Sequence, residues 1–483
     1  MPARKSKRGK NIRPKLSARL NPRIALETSP NGAVVANFEG YLIELGSFSA
    51  PAAKRAQALI QGLPLAPLAT GSAIGNELDV LVRRLARRGL LEYRLGYGDT
   101  DIVVIEPQMA DYWPKMPKLA ATDAVALSRF AYIRRRGGDM VLESPRAGAL
   151  FRICDPAIAA TLAGLAEPQK IGELRRERGF PGLELFALLV DCDMLFRTNA
   201  SQDDNLRISE GDQHLMLWDF HDFLFHTRST EGRQATPLGG LYPYADMIAP
   251  PPAVRSPWPG NPVDLKTFAP ASAEPRSPYA ELLNKRQSTR EFDDARPITL
   301  AELAQFLDRT ARIQSHWTSE LDFGGGGPEI AYTKRPYAAA GSAYELELYL
   351  AVSNCEGLDR GFYHYDADRH ALVAIESGAA EFDALLRSAE YAMDTPASPQ
   401  ILVTIAARFD RISWKYSAIA YALILKDVGV LIQSLYMTAT EMGLGGCAIG
   451  TGNIDLFAKM TGIDIHVEGP VGQFALGRGV KSS

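Results

Sequence analysis

Residues 412–452 read ISWKYSAIAYALILKDVGVLIQSLYMTATEMGLGGCAIGTG, and the architecture of the carboxy-terminal half turns on them. From about Tyr416 to Gly443, apolar residues fall on nearly every face of a helix, which marks a helix buried in a core or a subunit interface. Gly443, Gly445, Gly446 and Gly450 follow as a permissive loop against which a flat ring system can lie. Where the helix starts, Lys415 and Tyr416 supply two titratable groups with reference pKa values of about 10. Either becomes a candidate general base if burial or a neighbouring cation lowers its pKa. A surface lysine beside a packing tyrosine satisfies the same two residues.

On either side of this helix, helical and strand-like segments alternate: LAELAQFLDRT from Leu300, YELELYLAV from Tyr344, FYHYDADRHALVAI from Phe362, ILVTIAARF from Ile401 and GQFALGRG from Gly472. Helices mixed with the strands of one sheet indicate an α/β or α+β fold. Two short motifs lie upstream. In KRQSTREF, Lys285 to Phe292, Arg286 and Arg290 bracket the hydroxyl of Ser288, and guanidinium forks beside a hydroxyl suit a phosphate or ribityl chain. A solvated surface face carries the same pattern. In RPYAAAGSAYELELYLAV, Arg335 to Val352, the small residues Ala338 to Ser342 precede a strand, where they let a ring approach the backbone or simply form a tight turn.

The front half has another texture. AVVANF and YLIEL are strand-like, and ELDVLVRRLARRGL sets Leu78, Leu81, Val82 and Leu85 on one helical stripe before the two β-rich runs of LEYRLGYGDTDIVVIEP. A helix followed by a hairpin is how a winged helix ends. The pattern comes round again in FAYIRRRGGDMVLES, ALFRI, DPAIAATLAGLA and LELFALLVDCDMLFRT. HLMLWDFHDFLFHTRST, from His214, has helical spacing, and the stretch Thr236 to Pro278 is dense in proline, as in an extended arm or linker. The expected organisation is a basic disordered tail over 1–30, winged-helix-like domains over 31–115 and 120–205, a helical segment and Pro-rich linker over 206–276, and an α+β domain over 277–483.

Composition narrows the function. The 483 residues are 46% hydrophobic and 23% charged with a formal net charge of −3, which is a globular composition and a poor match to a nucleic-acid binder. Arg83, Arg84, Arg87 and Arg88 are the one helical stripe that a phosphate backbone would fit. Lys and Arg are frequent over residues 1–23, with no acid before Glu27. No apolar secretory core and no uninterrupted apolar span of membrane length is evident, so a cytoplasmic protein without a membrane partner is expected. The four cysteines lack CxxC spacing and the seven histidines form no HExxH cluster, so no metal site is expected.

Taken in order, KRQSTREF, the small-residue turn, WKY, GLGGCAIG and ALGRG resemble the nitroreductase-like flavoproteins, and more closely the SagB-type azoline dehydrogenases, which include cyanobactin oxidases and the dehydrogenase of microcin-type synthetases. The resemblance implies a nitroreductase-like FMN domain preceded by two winged-helix domains of peptide-recognition type. It implies that Arg286, Gln287, Ser288 and Arg290 hold the FMN phosphate and ribityl chain, and that Ala339, Gly341 and Ser342 lie along the isoalloxazine. Gly446, Cys447, Ala448, Ile449 and Gly450 would approach the flavin edge, with Arg478 the last phosphate ligand and Lys415 and Tyr416 the catalytic pair. Where the family often has Pro-Ser-Gly-Gly-Ala, this chain has Ala338-Ala339-Ala340-Gly341-Ser342.

The implied reaction oxidises thiazoline or oxazoline rings of a ribosomally made precursor peptide to thiazoles or oxazoles, with molecular oxygen regenerating the flavin. The implied partners are the azoline-bearing precursor peptide, a cyclodehydratase complex and a second copy of the chain in a homodimer. An NAD(P)H-dependent nitro- or flavin reductase and a non-catalytic peptide-binding scaffold are the alternatives.

Overall fold

The computed structural model describes residues 13–480 apart from 30, 31, 39, 66–71, 178, 199–205, 235–237, 269–276 and 322–325. The chain divides into two compact units, Met1–Thr236 and Pro237–Ser483.

The first unit runs β1 (Lys15–Leu20), β2 (Ile24–Thr28), β3 (Ala33–Phe38), β4 (Tyr41–Ser47), α1 (Ala50–Ala56), β5 (Leu63–Pro64), α2 (Ala73–Arg87), β6 (Leu91–Tyr97) and β7 (Thr100–Pro107). It continues with β8 (Ala124–Leu127), β9 (Tyr132–Arg136), β10 (Asp139–Glu143), β11 (Ala149–Ile153), α3 (Ala157–Ala163), β12 (Gln169–Lys170), α4 (Ile171–Leu174), α5 (Leu183–Asp191) and β13 (Leu195–Thr198). Three short helices close it, α6 (Leu206–Ser209), α7 (Gln213–Leu217) and α8 (Phe220–Ser229).

Helix α2 forms where expected: the Ser72 side chain accepts from Gly75 N–H at its start, and Leu78, Leu81, Val82 and Leu85 are buried along one stripe. Its arginines are engaged inside the unit. Arg83 pairs with Asp79 at 2.8 Å, Arg84 donates to the Leu45 carbonyl and Arg87 lies 3.5 Å from Asp111.

Two expectations for this unit change. The basic tail does not reach residue 30, because Lys15–Leu20 pairs with β6 and Ile24–Thr28 with β3. The physical reason is a period of two: Ala18 and Leu20 turn into the core while Arg19 is neutralised by Glu92. Residues 1–12 lie outside the described residues. Second, the halves expected over 31–115 and 120–205 share one antiparallel sheet, β5-β1-β6-β7-β11-β10-β9, through the pairing of β7 with β11. They also share one core, in which Leu81, Leu85 and Tyr93 cluster with Phe151, Leu162 and Phe186. The smaller sheets are β2-β3-β4 and β12-β8-β13.

Residues 238–268 of the Pro-rich stretch are largely exposed, with a single short 3₁₀ turn at Leu265–Phe268. The second unit then runs α9 (Pro278–Lys285), β14 (Ile298–Thr299), α10 (Leu300–Thr310), β15 (Ser315–Glu320), β16 (Glu329–Lys334), β17 (Leu346–Val352), β18 (Cys355–Glu356), β19 (Gly361–Asp366) and β20 (Ala371–Ile375). It ends with α11 (Ala379–Met393), β21 (Ile401–Arg408), α12 (Phe409–Ser413), α13 (Ala420–Glu441), β22 (Gly445–Ile449), α14 (Ile454–Thr461) and β23 (Glu468–Gly477).

The main sheet, β20-β19-β17-β21-β23-β22, is antiparallel at every pairing, which decides for α+β over α/β. All ten residues of β23 are buried, so both its faces are covered. Phe474 packs on Tyr436 of α13, while Ala475 joins the cluster of Leu385, Leu386 and Phe457 from α11 and α14. By length and hydropathy alone α13 would also pass for a membrane span; here Ile424, Leu431, Leu435 and Ala439 are core residues.

The long helix and the loop after it differ from expectation. Helix α13 starts at Ala420 and not near Tyr416, because Ala418 adopts φ +58° and breaks it from α12. Gly445 to Ile449 form strand β22 and not a loop. The glycines there serve close approach: a Cβ on Gly445 would lie 2.6 Å from Thr289 Cγ2, and one on Gly446 would clash with the Phe474 ring.

Candidate functional site

The carboxy-terminal motifs converge in two places, both anchored on α13. The first forms around Gly341. Lys415 and Tyr416 follow α12, and their N–H groups, at 3.0 and 2.9 Å, both donate to the Ile412 carbonyl. Arg411, one turn earlier, donates to the carbonyls of Ala343 and Ala331 at 2.9 and 2.6 Å, tying this segment to the small-residue turn. The Lys415 Nζ donates to the Gly341 carbonyl at 3.0 Å and stands 5.6 and 5.5 Å from the ring centroids of Tyr332 and Tyr416. A Cβ on Gly341 would clash with the Tyr416 hydroxyl and lie 2.6 Å from Lys415 Nζ, so both polar tips meet at this glycine.

The backbone here is held in costly conformations. Gly341 has φ +56°, and the non-glycine residues Ser342, Tyr344 and Ala418 have φ +56°, +47° and +58°. Each non-glycine instance costs about 1–3 kcal/mol, and such strain clusters where surrounding structure over-determines a site. Part of that surrounding structure is Asp427 on α13, whose carboxylate accepts from Ala340 N–H at 2.8 Å. Behind it Glu345 is fully buried; burial, with the neighbouring Asp427 charge adding to it, pushes its pKa up. Burial raises Asp427 as well, against the lowering effect of the Ala340 N–H.

The second convergence gathers KRQSTREF and the GGCAIG strand. Ser288 bridges in parallel to Gly446, Thr289 N–H donates to the Gly446 carbonyl at 2.8 Å, and Phe292 bridges to Gly479. Tyr436, from the last turns of α13, joins the two motifs: its hydroxyl lies 2.9 Å from Ser288 Oγ and accepts from Ala448 N–H at 2.8 Å. The Arg286 guanidinium lies 5.1 Å from the centroid of the same ring. Cys447 is buried, and burial raises its thiol pKa while the Arg290 charge opposes the rise. Gln287, Ser288 and Arg290 are exposed, and among the described residues no carboxylate pairs with Arg286 or Arg290. Two uncountered guanidinium groups beside a hydroxyl are a donor set that fits a phosphate.

Arg478 is placed differently. Its backbone N–H donates to Gln400 Oε1 at 2.9 Å and its carbonyl accepts from Asp293 N–H, so its backbone borders the first motif. Its guanidinium, however, donates to both oxygens of Glu302 at 2.7 and 2.8 Å. Burial favours the neutral acid at Glu302, and the bonds from Arg478 and Thr299 outweigh it, holding the carboxyl below its ordinary range. Arg478 therefore has a carboxylate of its own, unlike Arg286 and Arg290.

Asp427 and Tyr436 are nine positions apart, roughly 13 Å along a helix axis, so one chain presents the two convergences side by side and not superposed. Ala339 and Ser342 lie on either side of Gly341 in the first, and in the second Ile449 ends the strand with Gly450 just after it. Sequence reasoning passed over Tyr436, Asp427, Glu345, Gln400 and Glu302. For Asp427 and Tyr436 a signal existed, since each is a polar group inside an otherwise apolar helix. For Glu302 and Gln400 there was none, because their partners are remote in sequence. A cleft of about 1040 Å³ opens beside Tyr332, walled by Trp317, Tyr344, Arg411, Glu347 and Glu468.

Residues 283–478, within this antiparallel α+β unit, match the nitroreductase family, a family of oxidoreductases. Residues 125–235 match a second family, the cyanobactin oxidase ThcOx, so a nitroreductase-family domain is preceded here by a ThcOx domain. The resemblance to SagB-type proteins read from the motifs stands on both matches.

A Methanocaldococcus jannaschii protein named from its sequence as a nitroreductase, MJ1384, is 29% identical over 170 residues, covering 35% of this chain and 77% of its own. Among solved structures, a Ralstonia eutropha protein named as a nitroreductase is 21% identical, covering 44% of this chain and 88% of its own at a TM-score of 0.33. The E. coli microcin synthetase McbBCD complex with truncated pro-MccB17 bound contains a chain that is 17% identical, with 56% and 97% covered and a TM-score of 0.38.

Proposed function

We propose that this oxidoreductase is an FMN-dependent dehydrogenase that oxidises thiazoline or oxazoline rings in a ribosomally made peptide. The observation that carries the reading is the meeting of Lys415 Nζ and the Tyr416 hydroxyl at Gly341, a strained turn clamped to α13 through Asp427. The ThcOx match in the front unit supports the same reading, since a plain nitro- or flavin reductase has no use for it.

Aromatising an azoline removes a proton from the α carbon and a hydride from the β carbon. FMN, when bound, supplies the acceptor for that hydride. Arg286, Ser288 and Arg290 would hold its phosphate and ribityl chain, with Gln287, Gly446, Cys447, Ala448, Ile449 and Gly450 beside them. Ala339, Gly341 and Ser342 form the small-residue wall for its ring, and Arg478 orders the first motif through its backbone. Lys415 and Tyr416 handle the α proton. The Gly341 carbonyl holds the lysine Nζ at the site, and the adjacent phenol orients it or shares its proton. Positioning of this kind is worth orders of magnitude in rate when reacting atoms are held within contact.

The remaining parts follow the same reading. A homodimer is supported by Val430 of α13 with Ile419 just ahead of it, and by Tyr279 and Leu283 of α9, large apolar side chains exposed on or next to neighbouring helices. Two winged-helix-like elements are supported by α1-β5-α2-β6-β7, whose helices are closed by a strand pair, and by α3-β12-α4-α5-β13, whose helices are closed by the single strand β13. They would take the precursor peptide by strand addition to a sheet edge. A cyclodehydratase partner and a cytoplasmic location complete the proposal.

The test is anaerobic. Purified wild type and Lys415→Ala, both loaded with FMN, are mixed with an azoline-bearing peptide without NAD(P)H, and the flavin absorbance is followed. The reading requires bleaching by wild type and none by a still yellow Lys415→Ala. Bleaching of wild type by NADPH alone would hand the protein to the reductase alternative.

A further inference from the structure

We propose that Tyr436 is a positioning residue that makes the Ser288 hydroxyl a donor to a phosphate group. The proposal rests on the FMN reading above and adds to it a residue that lies outside the sequence motifs.

The argument is a count of protons. The Ala448 N–H can only donate, so the Tyr436 oxygen is its acceptor at 2.8 Å. The phenol keeps one hydrogen of its own, and Ser288 Oγ stands 2.9 Å away. Cys447 lies beside both hydroxyls, but a thiol is a weak acceptor. The phenol hydrogen therefore goes to Ser288 Oγ, and the serine hydrogen is left to point outward. Ser288 is exposed, Arg286 lies over the ring of the same Tyr436 and the Arg290 charge reaches the neighbouring Cys447. A ligand oxygen bearing negative charge at the serine hydrogen therefore has both guanidinium groups, without a carboxylate among the described residues, in its neighbourhood.

The ring cannot drift from this position. The edge of Phe474 meets it at 5.0 Å and 85°, and Arg286 covers it at 5.1 Å. Phe474 in turn fills the space that a side chain on Gly446 would need. One phenol thus couples the strand that carries Ala448 to the motif that carries Ser288, and orders the proton on the serine.

The experiment compares FMN with riboflavin, which lacks the phosphate, by quenching of flavin fluorescence in full-length wild type, Tyr436→Phe, Ser288→Ala and the double variant. Tyr436→Phe keeps the ring and removes the hydroxyl. It is expected to weaken FMN roughly tenfold, the scale of one hydrogen bond to a charged group, while riboflavin affinity stays unchanged. Ser288→Ala should lose the same preference for FMN over riboflavin, and the double variant should be no weaker than Ser288→Ala alone, because the tyrosine acts through the serine.

Equal weakening of both flavins by Tyr436→Phe overturns the proposal in favour of a packing role, and so does full additivity in the double variant. If Tyr436→Phe folds poorly, Ser288→Ala on the native tyrosine decides, and retention of the FMN preference there overturns the proposal. Wild type that binds FMN more tightly than riboflavin, with Tyr436→Phe unchanged, defeats the tyrosine assignment alone. Wild type that binds neither flavin defeats the cofactor reading and this proposal with it.

Discussion

Gly341→Ala separates geometry from stability at the proposed base. The added methyl would sit 2.6 Å from Lys415 Nζ and against the Tyr416 hydroxyl, at a residue whose φ is +56°. A left-handed alanine costs roughly 1–2 kcal/mol. The clashing atoms are the far ends of two flexible side chains, so they swing aside and the backbone need not move. Stability should therefore fall only by the conformational cost, a few degrees in Tm for a unit of this size. Activity should suffer more, because the lysine loses its Gly341 anchor, and a displacement of about 1 Å at a reacting group is worth on the order of a hundredfold in rate.

The assay is the anaerobic single-turnover rate of flavin bleaching by an azoline peptide, read beside the FMN dissociation constant and the melting temperature. The expected outcome is a rate reduced about a hundredfold in protein kept saturated with FMN, with flavin supplied in excess of any weakening at the ring wall that Gly341 helps to form. A variant that turns over within about threefold of wild type while folded and loaded with flavin would refute the argument that Gly341 positions the pair.

Three further outcomes follow from the same structure, beside the loss of turnover expected for Lys415→Ala. Burial raises the pKa of Glu345 and Asp427, so their neutral forms stabilise the fold; that contribution is complete at low pH and is lost as pH rises through the raised values. The difference in Tm between wild type and Glu345→Gln should accordingly shrink or reverse on going from about pH 5 to about pH 9, and a difference flat with pH would show that the pair does not titrate in the folded protein. In the front unit, burial beside Trp218 pushes the His226 pKa down to about 3, so its stabilising effect is present above the ordinary histidine pKa and is lost as pH falls toward that value. Urea melts from neutral pH downward should show an acid-side loss of at most about 5 kcal/mol, absent in His226→Gln. Thr299→Ala removes a capping box in which the threonine and Glu302 satisfy each other's backbone, and should cost about 1 kcal/mol. The same change frees Glu302 from one of its fixed partners, which a melt of the FMN-free protein would register.

The motifs were legible because each is local. Ser288 between two arginines, five small residues before a strand, and Lys415-Tyr416 ahead of an apolar helix are patterns within a few positions of one another. The helix LAELAQFLDRT and the strands AVVANF, ALFRI and ILVTIAAR fall where their apolar periods put them. Misreadings came where burial overrode local chemistry. Lys15–Leu20 looked like tail because its charges are conspicuous, yet a period of two and Glu92 make it a strand. Gly445-Gly446 looked like loop because glycine permits one, yet the residues are glycine so that Thr289 and Phe474 can come close.

Residue order alone was enough to expect an α+β domain at the carboxy-terminal end and to single out as candidates the arginines and serine of its first motif and the neighbouring Lys415 and Tyr416, since these are written in adjacent residues; that the main sheet is antiparallel came from the fold. Folding was needed to bring Gly341 to the lysine across 74 positions, Tyr436 to Ser288 across 148 and Glu302 to Arg478 across 176. It also joined the two front halves into one sheet through β7 and β11. The reason is that a hydrogen bond or an ion pair is decided by distance in space, and a polar residue within an apolar run carries no local mark of which distant partner will make its burial tolerable.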